Sequence, residues 1–498
     1  MSTKKITSTA CEVKQTAIIR LLLITLLLFS LVQAQEDLRE YQHGIDFVPR
    51  TDGTYWLIWA SSGNPPTGSA PDGSWTHDIY YSLIEPSNPV LNPVRIISKD
   101  EAQEPASSAV ASDGNIMITN EDGWNVNNTI GQRYGVYDND LADVKPYPNM
   151  VLDGGHSGHV AAVSNRFVVF YSEGWVDGGG VDDLGSGDDV MLKVYNSAGN
   201  YKRERNISVG NTYRDWWPLV AGSPQHALLL WQRFVNGKEY VDLMYAVYNP
   251  ANGNTVKGNT RIAQQVKYYT YDVEYIPSIQ RFLIIGTYHN GGGFSFLLDE
   301  NGQKTAQNFS LPEIVREAQP AVKDSSNIAY AVYPSSPNGL AVLELSAASI
   351  ALNNVISDSY DWSYMGTDGI FTGENSVYFV SLSKNGCVEK IFDNVISPAS
   401  LNGDNTLDKA TGFYLEQNYP NPFNPQTTIP FYLPRKASVF IGIYDVQGNL
   451  IDTLINEEVS AGKYEYTFNG SLLPTGFYYY QVKLDNRIIG AKKMVLLR

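Results

Sequence analysis

The sequence predicts an all-β chain in two parts, a ring of repeated antiparallel sheets followed by a small β-sandwich. Three observations lead there. An apolar strand, a short polar turn and a second apolar strand recur seven times between about residues 42 and 381. A third strand follows each pair, and Asn196-Ser197-Ala198-Gly199, Asn249-Pro250-Ala251-Asn252-Gly253 and Asp299-Glu300-Asn301-Gly302 are turns leading into a fourth. Near residue 395 this phase stops and a shorter pattern of strands and Gly/Pro turns begins. Four antiparallel strands at a period of about 50 residues describe the blade of a β-propeller, where radial repetition leaves only short protected edges. Seven repeats make seven blades. Six or eight stay open because the anchor at Phe371 is the weakest, and two stacked sandwiches are the competing arrangement.

Taken in order, residues 1–34 read as a secretory signal peptide: Lys4, Lys5 and Arg20, an apolar core from Leu21 to Val32, then small residues before Gln35. The core is short for a membrane span, and an uncleaved anchor is the alternative. Residues 36–395 are the propeller. The second strands, such as Phe167-Val168-Val169-Phe170-Tyr171 and Ala227-Leu228-Leu229-Leu230-Trp231, are continuous apolar runs. Residues 396–412 read as a linker, and 413–498 as a compact Ig-like sandwich.

Composition bounds the function. Lys and Arg number 36 against 52 Asp and Glu, a net charge of −16 that opposes nucleic-acid binding. Of two cysteines, Cys11 lies in the expected leader, so no intramolecular disulfide is expected. With 33 Tyr, 18 Phe and 9 Trp the chain has strand formers in quantity and flat faces on which sugars stack.

Connectivity predicts the functional end of the ring. Antiparallel strands reverse at each turn, so segments entering first strands and loops between second and third strands emerge together. His43, His156 and His159 precede first strands, and His77 and His289 lie in second-to-third loops; His226 alone falls at the opposite end. The long loops gather at the same end, where sites are commonly built. The candidate catalytic residues are therefore His156, His159, Arg214 and Asp215, with a His or Tyr as base and Arg214 holding a uronate carboxylate. Candidate ligand-binding residues are His43, His77, Glu104, Glu121, Trp124, Glu173, Trp175, Trp216, Asp272 and His289. Asp182, Asp183 and Asp188, in a glycine-rich loop, offer oxygen ligands for Ca2+, although no EF-hand spacing is present. No nucleophile elbow or sialidase aspartate box is present.

At the C-terminus, Tyr419-Pro420-Asn421-Pro422-Phe423-Asn424-Pro425, Ile443-Tyr444-Asp445-Val446-Gln447-Gly448, Leu473-Pro474-Thr475-Gly476-Phe477-Tyr478 and Lys492-Lys493-Met494-Val495-Leu496-Leu497-Arg498 follow one another. This stretch resembles the type A C-terminal sorting domain of type IX secretion. The resemblance implies export to the periplasm, passage across the outer membrane by the type IX machinery, and a secreted or cell-surface protein. It implies nothing about the propeller. From its residues, the propeller is expected to bind or degrade extracellular polysaccharide, as a lyase or glycoside hydrolase if an enzyme. The alternative is an adhesion or scaffold propeller that binds protein.

Overall fold

In the computed structural model, described residues run from 41 to 497, excepting 68–76, 100–101, 123–129, 174–188, 209–212, 324–326, 333–338, 359–365, 374, 397–405, 409–412, 416–417, 434, 446–449 and 486. All regular structure among them is β. The expected signal peptide falls outside these residues.

From 42 to 393 the strands form consecutive antiparallel units. Gln42–Pro49, Tyr55–Ser61, Asp78–Ile84 and Val94–Ile97 pair in chain order, and the pattern repeats over 103–153 and 155–206. A seven-stranded sheet then spans 215–311 and comprises two such units, the fourth and the fifth, sharing one strand, Asn254–Ile276. Residues 321–357 form a sixth unit of four strands and 367–393 a seventh of three. The predicted second and third strands coincide with observed strands throughout. The 23-residue shared strand was not foreseen; Ala263 to Tyr271 contains no Gly or Pro to interrupt it, so the rim of one sheet continues directly into the first strand of the next.

Apolar clusters join each unit to its successor. Val48 and Ile58 pack with Ala106 and Ile118, Val136 with Phe167 and Val169, Val168 and Phe170 with Leu229 and Trp231, and Leu230 with Val273 and Ile284. Leu283, Val342 and Phe379 share the next cluster, and Ile370, Tyr378 and Val380 close onto Ile45, Leu57 and Trp59 of the first unit. The second strands of the first five units and of the seventh are thus buried on both faces, which explains runs that are apolar at successive residues. Hydrogen bonds bolt the same joints: Asp46 accepts from Ser108 N and Oγ, Ser107 Oγ from Val160 N at 3.2 Å, and Asp368 Oδ2 from Phe47 N at 2.7 Å.

Beyond 405, Thr406–Asp408, Phe413–Leu415, Gln426–Leu433 and Gly462–Asn469 form one sheet, and Leu450–Val459, Ala437–Tyr444, Gly476–Leu484 and Arg487–Leu496 the other. Thr406–Asp408 lies within the stretch read as linker; it pairs with Phe413–Leu415 and so extends the sandwich edge. Phe431, Ile441, Tyr480 and Met494 are among the core residues between the sheets.

Candidate functional site

The first strands line a central channel, and most begin with an irregularity. Register breaks between His43 and Ile45, between Glu104 and Ser107, opposite Phe170 and Ser172, between Trp216 and Leu219, and between Val266 and Tyr271. Left-handed backbone accompanies these positions at Gly44 (φ 74), Ser157 (φ 53), Trp217 (φ 52) and Tyr269 (φ 58), and the sixth unit has Glu317 (φ 53). A bulge re-aims side chains without breaking the sheet. At Gly44 a Cβ would lie 2.5 Å from the backbone of Ala106, so only glycine lets the first two strands approach this closely.

The re-aimed side chains meet in a buried charged cluster. His43 Nδ1 lies 3.7 Å from Glu104 Oε2 and its Nε2 lies 3.1 Å from Glu317 Oε2; His77 Nε2 is 3.5 Å from Glu104 Oε2. Arg316 Nε reaches Glu317 Oε1 at 2.9 Å, with its guanidinium 4.4 Å over the Tyr269 ring. Burial disfavours charge on His43, but Glu317 and Glu104 outweigh it and hold the imidazole up at about 9. Burial likewise opposes ionisation of Glu317, yet His43 and Arg316 keep its carboxyl well below the usual range. Glu121 accepts from Ser157 N, and burial pushes its carboxyl up to about 8. The mouth therefore holds an imidazolium, an ionised carboxylate and a protonated carboxyl side by side at neutral pH.

His159 has a different state. Its Nδ1 sits 2.9 Å from Pro218 O and 3.1 Å from Ser157 O, both acceptors only, so Nδ1 carries the hydrogen. Burial pushes the ring down to about 4, leaving it neutral with the Nε2 lone pair available. His156 is pushed down to about 3 by burial and then by Arg214, and packs 4.6 Å from Trp216.

Below the mouth lies a cavity of about 480 Å³ lined by the first strands. Phe47, His159, Trp217, Tyr271 and Tyr275 supply its rings, and Asp46, Asp272, Glu274 and Glu317 its carboxyls; no Lys or Arg is among the described lining residues. The Tyr271 hydroxyl donates to Trp217 O at 2.8 Å. Burial raises Asp46 and Glu274 to about 7, and burial with neighbouring acids raises Asp272 and Asp368 well above the usual carboxylate range.

The sequence-predicted residues divide accordingly. His43, His77, Glu104 and Glu121 gather at the mouth with His156 and His159, whereas Asp272 lies on the channel wall rather than at its rim. Arg214 stacks 4.5 Å over the rings of both Trp216 and Phe234 and does not line the cavity. Asp215 is held by Arg233 through bonds of 2.7 and 2.8 Å, a buried ion pair in the sheet. Glu173 pairs in register with Asp189, and His289 packs 5.8 Å from Tyr240 and takes no part in the cluster. Trp124, Trp175, Asp182, Asp183 and Asp188 lie outside the described residues. Among the described residues no group of three His, Cys, Asp or Glu side chains is placed to hold a metal ion.

Asp46, Glu274 and Asp368 were absent from the expected site, and Glu317, expected at the mouth as part of the segment entering its strand, was given no role there. The signal for Glu274 was legible, since Tyr271-Asp272-Val273-Glu274-Tyr275 alternates with period two and its acid must share a face with Asp272, here the channel. The pairing of Glu317 with His43 could not be found that way, because the two are remote in sequence.

No curated protein matches the chain. Solved structures that resemble it include the WD40 domain of Toxoplasma gondii coronin, 6% identical over 72% of this chain and 82% of that one, with a TM-score of 0.43. An α-L-arabinofuranosidase of Fusarium graminearum is 10% identical over 62% and 93%, TM-score 0.41. A Trypanosoma rangeli sialidase is 8% identical over 80% and 86%, TM-score 0.41. Likenesses this distant carry no argument about ligand or chemistry, and the propeller assignment rests on the chain's own sheets. Among the described residues no helix is long and apolar enough to cross a membrane. The family described as the secretion system C-terminal sorting domain matches residues 417–496. These residues are thus a type IX secretion sorting domain behind an all-β propeller, and the protein is one secreted or displayed at the outer-membrane surface.

Proposed function

We propose that this exported propeller, read as seven blades, binds polysaccharide at its channel mouth and hydrolyses a glycosidic bond between uncharged sugars. The observation that carries this reading is the cavity lining, with rings from Trp217 and Tyr271, carboxyls that accept from sugar hydroxyls, and no cation among the described lining residues. A uronate would find no cation among the described lining residues to pair with. The elimination chemistry that leaned on Arg214 loses its partner, because that guanidinium is stacked outside the cavity.

Hydrolysis needs one carboxyl that donates a proton and one that stays ionised, held in environments that push them apart. Asp272 and Glu317 line the same cavity and are pushed in opposite directions, the first by burial and nearby acids, the second by His43 and Arg316. Asp272 is assigned as the acid and Glu317 as the ionised partner, with His159 Nε2 accepting a sugar hydroxyl. The test is turnover of neutral and uronate polysaccharides by the purified full chain. Expected is release of reducing ends from a neutral polymer, abolished in Glu317→Gln and Asp272→Asn. Unsaturated uronate products, or neither binding nor turnover on any polysaccharide, would overturn the reading and favour the scaffold alternative.

A further inference from the structure

The shared strand Asn254–Ile276 has a consequence at the rim. Its first part is the outer strand of the fourth unit and its last part the first strand of the fifth, so the chain runs from rim to axis without a connecting loop. A cleft of about 730 Å³ opens where the two units diverge. One wall is the strand itself, with Arg261 and Gln265; the other is the fifth unit, with Tyr288, Phe296, Lys304 and Phe309.

The chemistry of this cleft is the reverse of the channel's. Phe309 is 49% exposed and meets Phe296 edge-on at 5.6 Å, so a buried ring fixes an exposed one. Lys304 Nζ lies 5.2 Å over the Phe296 ring. Arg261 Nη1 binds Asp242 Oδ2 at 2.9 Å, and the Gln264 amide oxygen accepts from its Nη2 at 2.7 Å and its Nε at 3.2 Å, so the guanidinium is fixed in place while its side chain stays 51% exposed. A fixed aromatic face beside two cations, with the Gln265 amide on the same wall, suits a ring with apolar C–H faces, hydroxyls and a negative group.

We propose that this cleft binds an anionic saccharide unit, uronate or sulfated, with Phe309 as its platform and Lys304 and Arg261 as its anion-binding groups. This goes beyond the channel reading and does not depend on it. The cleft supplies the positive charge the cavity lacks, so an acidic polysaccharide is held on the outer wall and kept out of the channel.

The test is calorimetric titration of the full chain with an oligogalacturonate, a sulfated oligosaccharide and an uncharged oligosaccharide of equal length. Expected is at least tenfold tighter binding of one or both anionic ligands, weakening as salt is added. Phe309→Ala and Lys304→Gln should each lose at least tenfold of that affinity. Lys304 is exposed, so its variant tests the cleft without threatening the fold. Which anionic ligand binds distinguishes carboxylate from sulfate. Equal affinity for charged and uncharged ligands, or anionic binding that survives both substitutions, would overturn the proposal. Glu317→Gln and Asp272→Asn should leave this binding intact, so its failure and that of the channel reading are separable.

Discussion

Around the channel mouth the propeller buries His43, Glu104 and Glu121 and leaves the Glu317 side chain only 11% exposed, whereas the interior of the C-terminal sandwich is filled by Ile429, Phe431, Val439, Ile441 and Met494. Both regions are antiparallel β of similar strand length. They differ in what occupies the space between sheets. Face-to-face packing fills the sandwich interior with apolar side chains, and buried polar groups such as Asn418 and Thr427 satisfy one another through a 2.8 Å bond. Sheets fanned about an axis cannot meet at the centre, and the residual channel accepts ionisable groups that hold one another's charge states. The sandwich addresses the protein, and the ring holds the cluster of ionisable groups.

The strongest break in this comparison separates the two regions outright. Removing residues 413–498 should abolish appearance of the protein in the medium or on the cell surface while the propeller still melts cooperatively, checked by fractionation and thermal denaturation. Normal export of the truncated chain would refute the division of labour.

Next comes the charge cluster. Glu317→Gln should destabilise the protein by about 3 kcal/mol at neutral pH, because it strands the buried His43 imidazolium and Arg316. His43 titrates at about 9 in the fold against 6.5 unfolded, so its contribution is complete below pH 6.5 and lost as pH rises toward 9. The variant should show a shallower slope across that window in denaturant titrations, and His43 should titrate lower by NMR. A variant that keeps both would sink the cluster's role.

A smaller effect of opposite sign is expected on the channel wall. Glu274 is raised from 4.5 to about 7, so the fold binds its proton more tightly than the unfolded chain does, and stability is lost as pH rises through that interval. Glu274→Gln should therefore be more stable than the parent at pH 8 and equal to it at pH 4. Equal stability at both values would show that the channel solvates this carboxylate fully.

The smallest change belongs to the sandwich surface, where Arg435 pairs with Asp485 at 2.8 Å and both are about half exposed. Arg435→Ala should leave the melting temperature unchanged, since water and salt screen such pairs. A clear drop would mean that this surface also carries buried-like electrostatics, and the contrast between the regions would blur.

Much of the fold was legible from chain position alone. Runs such as Phe167 to Tyr171 are apolar at every residue because both faces of a second strand are covered, and turns such as Asp299 to Gly302 are written in local chemistry. The end that collects His43, His77, His156 and His159 followed from strand reversal. The shared strand was not legible, because it is marked only by a missing turn. Nor were the partners of the candidate site: Asp215 pairs with Arg233 across a hairpin and Arg214 stacks on Trp216 and Phe234, although adjacency in sequence had joined the two.

By itself the chain determined periodicity, strand boundaries and the C-terminal address, because these depend on the order of apolar, polar and turn residues over short stretches. Tertiary structure alone decided which groups are charged. His43 and His159 begin with the same side chain; one is held as an imidazolium by Glu317 and Glu104, the other fixed neutral by burial and two carbonyl oxygens. Protonation depends on solvent access and on the charge of neighbours, and closing the ring brings those neighbours from distant units.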